Sequence, residues 1–252
     1  GKCININDKG MERFFGSKKC STLKDLDLRA TLLTNYTLES IANSKYLKSL
    51  KKLCLRSCPN MKDLGIEHLL KSPNCSSIRS IDFSWCKFTG ELFRHLRNSS
   101  YTTEVRDIAV SGLKDIEHEL LVYITSSSVA SLKKLDISSS SLTESSVLQI
   151  FDSEILESIE EIDLSNLELT RGAVLAILRS KNIEKIHRLG MVNILTPVDL
   201  LKTLIEGSQR LTRMESVKVH STKGLAFDEF KKYLPNLQMV ESRDIKESSE
   251  HI

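Results

Sequence analysis

Leu23-Lys24-Asp25-Leu26-Asp27-Leu28 is the first of six similar segments in this chain. Its three apolar positions return in Leu50-x-x-Leu53-x-Leu55, Ile78-x-x-Ile81-x-Phe83, Val105-x-x-Ile108-x-Val110, Leu132-x-x-Leu135-x-Ile137 and Ile159-x-x-Ile162-x-Leu164. The segments follow one another at spacings of 27, 28, 27, 27 and 27 residues. A unit of this length cannot bury its apolar face alone, so the units are predicted to stack and share one continuous core.

Each unit predicts a strand, a turn and a helix. Alternation in the segment points the Leu, Ile and Val side chains inward and the polar ones outward. A threonine at the same place in several units predicts a helix N-cap, because its hydroxyl accepts a bond from a free backbone N–H; these are Thr89, Thr143, Thr170 and Thr196. The helices are predicted at roughly 61–72, 89–98, 116–126, 143–152, 170–180, 196–206 and 226–234. Their inward positions include Leu64, Leu69 and Leu70, and then Leu92, Phe93 and Leu96.

The last units are less regular. We predict the next segment at Ile183-x-x-Ile186, 24 residues after Ile159, which places His187 on the strand. Met214-x-x-Val217-x-Val219 then follows after 31 residues, and Leu237-x-x-Val240 follows after a further 23. Such drift is typical of a terminal cap. At the other end, residues 3–15 match the second half of a unit whose strand is absent. We therefore expect either a chain trimmed from a longer protein or one that begins on a half-repeat.

The cysteines follow the same period. Cys20 and Cys75 stand three residues before an apolar segment, and Cys58 and Cys86 stand three after one. Cys3 falls on the position of Cys58, and Cys54 alone takes an outward strand position. This placement predicts small buried thiols whose S–H groups donate to backbone carbonyls, rather than disulfides or a metal site. Free thiols favour a reducing compartment, the cytoplasm or the nucleus.

Residues 58–70, followed by Cys75 to Cys86, resemble the cysteine-containing, ribonuclease-inhibitor-like class of leucine-rich repeats. The resemblance implies an α/β fold: a right-handed horseshoe, or solenoid, with about eight or nine parallel strands inside and helices outside. One domain is expected over 1–240, with a polar tail at 241–252. The class is typical of F-box and related leucine-rich-repeat proteins, the substrate receptors of cullin-based ubiquitin ligases. No F-box-like segment is found in this chain, so a contact with a cullin adaptor would need a segment upstream of Gly1.

Composition and motifs narrow the function. The net charge is only +3, which favours neither a nucleic-acid nor a membrane surface, and no apolar run has the length of a membrane span. There is no Gly-rich phosphate loop and no Gly-x-Ser-x-Gly, and His118-Glu119 is followed by Leu-Leu-Val instead of completing a zinc motif. We therefore expect no catalysis, no metal or other cofactor, and a protein partner.

Candidate binding residues lie on the outward strand positions, which stacking aligns on one concave face. One row is largely acidic through Asp163, another begins with two arginines, and Trp85, the only Trp, follows the third strand. Trp and Arg are enriched among binding hot spots. The predicted protein-binding residues are Arg29, Arg56, Asp82, Trp85, Asp107, Asp136, Asp163 and His187. The alternative is an ordinary solvated face whose neighbouring charges compensate one another.

Three functional hypotheses remain open. The first is a protein-interaction domain, as in the substrate-binding part of a ubiquitin-ligase receptor. The second is a small-GTPase regulator of the Ran GTPase-activating type, which would use Arg29, Arg56 or Arg171 in trans on a bound nucleotide. The third is a pathogen effector that binds a host protein with the same horseshoe.

Overall fold

A computed structural model describes residues 6–126, 129, 131–153, 158–220 and 238–242 of the chain. The strands form one nine-stranded parallel sheet whose spatial order is the chain order. They are β1 (Asp25–Asp27), β2 (Lys52–Cys54), β3 (Ser80–Asp82), β4 (Asp107–Ala109), β5 (Lys134–Asp136), β6 (Glu161–Asp163), β7 (Arg188–Gly190), β8 (Ser216–His220) and β9 (Gln238–Ser242). This topology confirms the predicted solenoid.

One helix lies between most consecutive strands. The helices are α1 (Asp8–Phe15), α2 (Asn35–Ala42), α3 (Asp63–Leu70), α4 (Glu91–Asn98), α5 (Glu117–Ile124), α6 (Glu144–Asp152), α7 (Arg171–Arg179) and α8 (Pro197–Gly207). Crossovers between parallel strands are right-handed in nearly all proteins. Within the described residues, no helix combines the length and apolar character that crossing a membrane requires. The predicted helix at 226–234 lies outside the described residues.

The core confirms the predicted inward positions of the first six units. Leu26, Leu53, Ile81, Ile108, Leu135 and Ile162 pair in register across β1 to β6 and are all buried. The buried side chains of strands and helices form one cluster along the solenoid. Each unit therefore contributes one layer to a shared core, as the sequence period requires.

The seventh strand corrects the predicted register. Leu189 pairs with Ile162, and Arg188 pairs with Glu161, so the segment is Ile186-x-x-Leu189-x-Met191. It lies 27 residues after Ile159, and the unit spacing does not drift there. The predicted segment began at Ile183 instead of Ile186. Ile183 is apolar because it occupies the position three residues before the segment, which Cys75 occupies before Ile78. Gly190, not His187, therefore occupies the strand position next to Asp163. In β9, Met239 pairs with Val217 and Val240 pairs with Lys218, one residue away from the predicted alignment.

The predicted N-caps are confirmed at Thr143, Thr170 and Thr196, whose hydroxyl oxygens accept from the N–H groups three residues ahead. At α4 the prediction is one residue off: the N-cap is Gly90, although the Thr89 hydroxyl still accepts from the N–H of Glu91 at 3.2 Å. One predicted inward position is wrong. Leu64 is 60% exposed, because α3 begins at Asp63 and buries Ile66, not Leu64, in its first turn.

The cysteine prediction is confirmed at the positions that the structure describes. Cys20, Cys58, Cys75 and Cys86 are free and buried, and their Sγ atoms donate to backbone carbonyls of Ser17, Leu28, Leu69 and Leu55 at 2.9 to 3.2 Å. Two of these bonds, from Cys58 to Leu28 and from Cys86 to Leu55, reach the preceding unit. Cys3 lies outside the described residues.

A serine row also joins the units. Ser44, Ser72 and Ser99 follow their helices, and each hydroxyl donates to a carbonyl of the preceding unit, on Phe15, Ala42 and Leu70. Such bonds satisfy carbonyls that the helix ends leave free. The spacing of 27 or 28 residues continues at Ser126, Ser153, Ser180 and Ser208, but the bond to the preceding unit does not. The Ser126 hydroxyl donates to Tyr123 of its own unit, and no hydrogen bond reaches the hydroxyl of Ser153 or Ser180 among the described residues.

Candidate functional site

The acidic row on the concave face has a structural role. Asp82, Asp136 and Asp163 each accept, through Oδ1, the backbone N–H of the serine two residues ahead, at 2.9 to 3.0 Å. This is the Asx-turn geometry, in which a side chain closes a turn that the backbone would otherwise close itself. The Asp-x-Ser spacing at these three strands was a signal for this role. These aspartates are therefore held at the strand ends by their own turns.

Two carboxyl groups on this face have a raised pKa. Burial raises the pKa of Asp136 above its ordinary value, and the nearby charge of Asp163 adds to the rise, while hydrogen bonds from Ser138 oppose it. Burial also raises the pKa of Asp107, with Lys134 opposing the rise and Glu161 adding to it. Ionisation of these two carboxyl groups therefore costs more solvation free energy than it would in water.

An ion pair links β6 and β8 in the C-terminal part of the concave face. Nζ of Lys218 lies 3.4 Å from Oδ2 of Asp163, although β7 lies between their strands. Gly190 makes this contact possible, because a Cβ on it would overlap the Asp163 carboxylate. The predicted residue His187 lies one position before β7, with Nδ1 3.8 Å from Glu215. It is therefore placed at the amino edge of the sheet, away from the acidic row.

The outward row that begins with Arg29 and Arg56 continues with four serines, and these differ from the predicted exposure of outward positions. Ser84, Ser111, Ser138 and Ser165 are buried, not exposed. The Ser84 hydroxyl accepts from the N–H of Ser111 at 3.2 Å, and the hydroxyl oxygens of Ser111 and Ser138 lie 2.9 Å apart, within hydrogen-bond distance. The chain begins to turn after the strand, so this position faces the next unit and links neighbouring turns.

Arg29 and Arg56 do remain accessible in that row. Nη2 of Arg29 lies 2.7 Å from Asp27, and its side chain is 63% exposed. The hydrogen bond from Arg29 lowers the pKa of Asp27. Arg56 is partly exposed and takes part in none of the ion pairs seen among the described residues.

Trp85 lies in the turn after β3. It has a φ of 58° and shares this left-handed position with Ala30, Ser57, Ser139 and Asn166 of other units. Its indole covers Gly112, the corresponding residue of the next unit: a Cβ there would lie 2.5 Å from Cε3. The side chain still exposes 45% of its surface. Trp85 is therefore both packed on a neighbouring turn and open to a partner.

Three other exposed apolar residues follow the carboxyl ends of β1 and β2, and the repeat pattern does not predict their exposure. Leu32 follows the turn after β1 and is 63% exposed, and Tyr36 and Leu64, in the first turns of α2 and α3, are 71% and 60% exposed. Nδ2 of Asn60 donates to the carbonyl of Leu32 at 2.9 Å, which fixes the first turn against the second. A signal was available in Tyr36 and Leu64, which stand 28 residues apart with no inward role.

We call this surface the carboxyl rim, because it lies where the first three strands end. It comprises Arg29, Leu32, Tyr36, Arg56, Leu64 and Trp85. Equivalent positions on neighbouring strands are separated by about 4.8 Å, so the rim extends over about 10 Å along the sheet. Of the predicted residues, it unites Arg29, Arg56 and Trp85. Asp82 is the last residue of β3, next to the rim, whereas Asp107, Asp136 and Asp163 lie on β4, β5 and β6 of the concave face.

Comparisons with known proteins find distant structural similarity alone. No family model and no curated protein matches the sequence. The C-terminal domain of tropomodulin from Caenorhabditis elegans matches with a TM-score of 0.42 and 15% identity, over 70% of this chain and 89% of that one. An internalin from Listeria monocytogenes matches with a TM-score of 0.44 and 13% identity, over 90% of this chain and 69% of that one.

Proposed function

We propose that this chain is a non-catalytic protein-interaction domain that binds a protein partner through the carboxyl rim. The observation that carries the proposal is that four exposed apolar residues, Leu32, Tyr36, Leu64 and Trp85, all follow the carboxyl ends of the first three strands. Exposed apolar groups of this kind, rimmed by polar residues, are characteristic of protein interfaces. Arg29 and Arg56 add the residue type that accompanies Trp and Tyr in binding hot spots.

The rest of the concave face contributes orientation in this proposal. Asp107, Asp136 and Asp163 present negative charge on β4 to β6, which continue the sheet beyond the three strands of the rim. Complementary charge affects orientation and association rate more than affinity. The bulk of the binding energy is expected from Trp85, because it is already held against Gly112 and loses little side-chain freedom on binding.

The narrower hypothesis is the substrate-binding part of a ubiquitin-ligase receptor. It rests on the cysteine-containing repeat pattern alone, and its test is capture of a cullin adaptor by the full-length gene product. The GTPase-regulator hypothesis has less support. Arg171 on α7 pairs with Glu206 of α8 at 2.7 Å, and Arg29 pairs with Asp27, so both guanidinium groups already have carboxylate partners.

The test begins with affinity capture from the native cell. Wild type is compared with Trp85→Ala/Arg56→Ala and with a control, His118→Ala/Lys202→Ala, which changes exposed residues of α5 and α8. A partner captured by wild type and the control, but lost from the rim variant, supports the proposal. Capture that is unchanged in the rim variant contradicts it.

A direct measurement follows with the captured partner. Trp85 is the only Trp, so 5-fluorotryptophan places a single ¹⁹F signal on the rim. Binding at the rim should shift or broaden this signal, with no interference from Trp residues of the partner. An unaltered signal at saturating partner would place binding elsewhere.

A further inference from the structure

A row of cations lies along the amino edge of the sheet, opposite the carboxyl rim. The residue before each of the first five strands is basic: Lys24, Lys51, Arg79, Arg106 and Lys133. We call this row the basic ladder. Each N–H donates to the carbonyl of the previous member, from Lys51 to Lys24 at 2.7 Å and so on to Lys133 and Arg106 at 2.7 Å. The five residues are thus direct neighbours, over about 19 Å at the usual strand spacing.

Much of this charge is uncompensated. Arg79 pairs with Glu104 at 3.2 Å, and Lys133 pairs with Glu160 at 2.7 Å. Lys24, Lys51 and Arg106 are exposed and take part in none of the ion pairs found in the described part of the chain. Like charges on neighbouring strands repel, so this arrangement costs stability in the free protein.

The ladder is not a general property of the repeat. The equivalent residues of the next three units are Glu160, His187 and Glu215. Because the core positions continue unchanged through these units, the stacking itself does not require a cation at this edge. The basic charge is therefore confined to β1–β5, and it ends at an acidic boundary before β6.

We propose that the basic ladder binds an extended acidic segment of a protein partner, laid across the first five strands. An extended chain advances about 3.3 Å per residue, so about six residues cover the ladder's length. Carboxylates along such a segment would form charge-assisted hydrogen bonds with the lysines and arginines. Glu160 and Glu215 would repel a segment that extended past β5, which defines its position.

The surroundings favour a protein segment over single-stranded nucleic acid. Surfaces for nucleic acid combine cations with exposed aromatic rings on which bases stack. Near the ladder, Tyr101 is packed against the core, and the exposed Trp85 lies at the opposite edge. Asp25 and Glu104 lie among the cations and would repel a phosphate backbone, whereas a mixed sequence can place its own cations beside them.

This inference does not depend on the carboxyl rim, because the two surfaces lie at opposite ends of the strands. The test uses the whole chain and a fluorescein-labelled decaglutamate peptide, with binding followed by anisotropy at about 50 mM salt, where screening is weak. Lys24→Gln/Lys51→Gln/Arg106→Gln is compared with Lys9→Gln/Lys114→Gln/Lys202→Gln, which removes the same three charges from exposed positions elsewhere.

We expect the ladder variant to weaken decaglutamate binding about tenfold, and the control to weaken it less than about twofold. Equal losses in the two variants, or no binding by wild type, would overturn the proposal. So would tighter binding of a labelled twelve-residue oligothymidylate than of the peptide under the same conditions.

A second measurement needs no variant. Carbodiimide joins lysine amines to carboxylates that they contact, so the wild-type complex with decaglutamate is cross-linked and mapped by mass spectrometry. The proposal requires cross-links at Lys24 and Lys51. Cross-links confined to lysines of the helical face, such as Lys9 and Lys202, would contradict it.

Discussion

The indole of Trp85 packs directly on Gly112. A Cβ atom added to that glycine would lie 2.5 Å from Cε3 of the indole. Both residues occupy the same turn position of successive units, and both have positive φ, 58° and 72°. The glycine therefore supplies the space in which the only Trp of the chain packs. This contact links the stability of one turn to the geometry of the proposed binding surface.

Gly112→Ala should displace the indole. Non-glycine residues occupy this turn position in other units, so we attribute most of the cost to the overlap with Trp85 and expect about 1–2 kcal/mol of lost unfolding free energy. The emission of the single Trp should also shift, which fluorescence measures directly. In a Trp85→Ala background the same substitution should cost much less. An equal cost in both backgrounds would show that backbone strain, not the indole, is responsible.

Leu135→Asp should be far more damaging than Asp136→Ala. Leu135 is 2% exposed in the shared core, so the substitution removes apolar burial and introduces an unpaired charge, at a cost of at least about 3 kcal/mol. Asp136→Ala removes the acceptor of the Ser138 N–H at the strand end, for which about 1 kcal/mol is expected. Thermal unfolding compares the two. Similar melting temperatures would overturn the strand register.

Asp136→Asn should have a pH-dependent effect on stability. The pKa of Asp136 is raised in the folded chain, so folding takes up a proton there, and the wild type loses stability as pH rises from the unfolded value of 3.8 through the folded value. An amide oxygen can still accept the Ser138 N–H but does not ionise. The variant should therefore gain stability relative to wild type between about pH 4 and pH 7. Urea unfolding across this range measures it, and a relative gain that grows on acidification would contradict it.

The core thiols should resist modification. Burial raises the pKa of both Cys75 and Cys86 to about 12, so the reactive thiolate is scarce as well as inaccessible. In a Cys3→Ser variant at about pH 8, a dithiobis-nitrobenzoate assay should modify these two thiols only when the chain unfolds. Cys54 is less buried, with a pKa raised to about 11, and should react first. Rapid reaction of Cys75 in the folded protein would contradict the packing described for it.

The sequence predicted the fold closely because the signal recurs. Every unit repeats the same apolar spacing, and the strand pairing of β1–β6 confirms it residue by residue. The error at β7 arose where two apolar positions lie three residues apart, since Ile183 and Ile186 both fit the start of a segment. A local pattern does not separate these registers, whereas hydrogen bonding with the neighbouring strand does.

Much less of the candidate site could be predicted. Trp85 and the two arginines were identified by residue type and position, but the apolar residues beside them were missed. Leu64 was predicted to face inward with Leu69 and Leu70, whereas α3, which begins at Asp63, buries Ile66 and leaves Leu64 exposed. The basic ladder lies one residue outside the alternating strand positions, so the strand pattern does not predict it.

The sequence alone determined the period of the chain, its apolar layers and the buried positions of its cysteines, because each follows from a short pattern that the units repeat. Tertiary structure decided which polar side chains are available to a partner. Asp163 reaches Lys218 across a glycine, the Ser138 hydroxyl is buried against Ser111, and Trp85 lies on Gly112. These contacts join residues 27 or 55 positions apart in the chain. They exist only when neighbouring units stack, so no single repeat carries the information that specifies them.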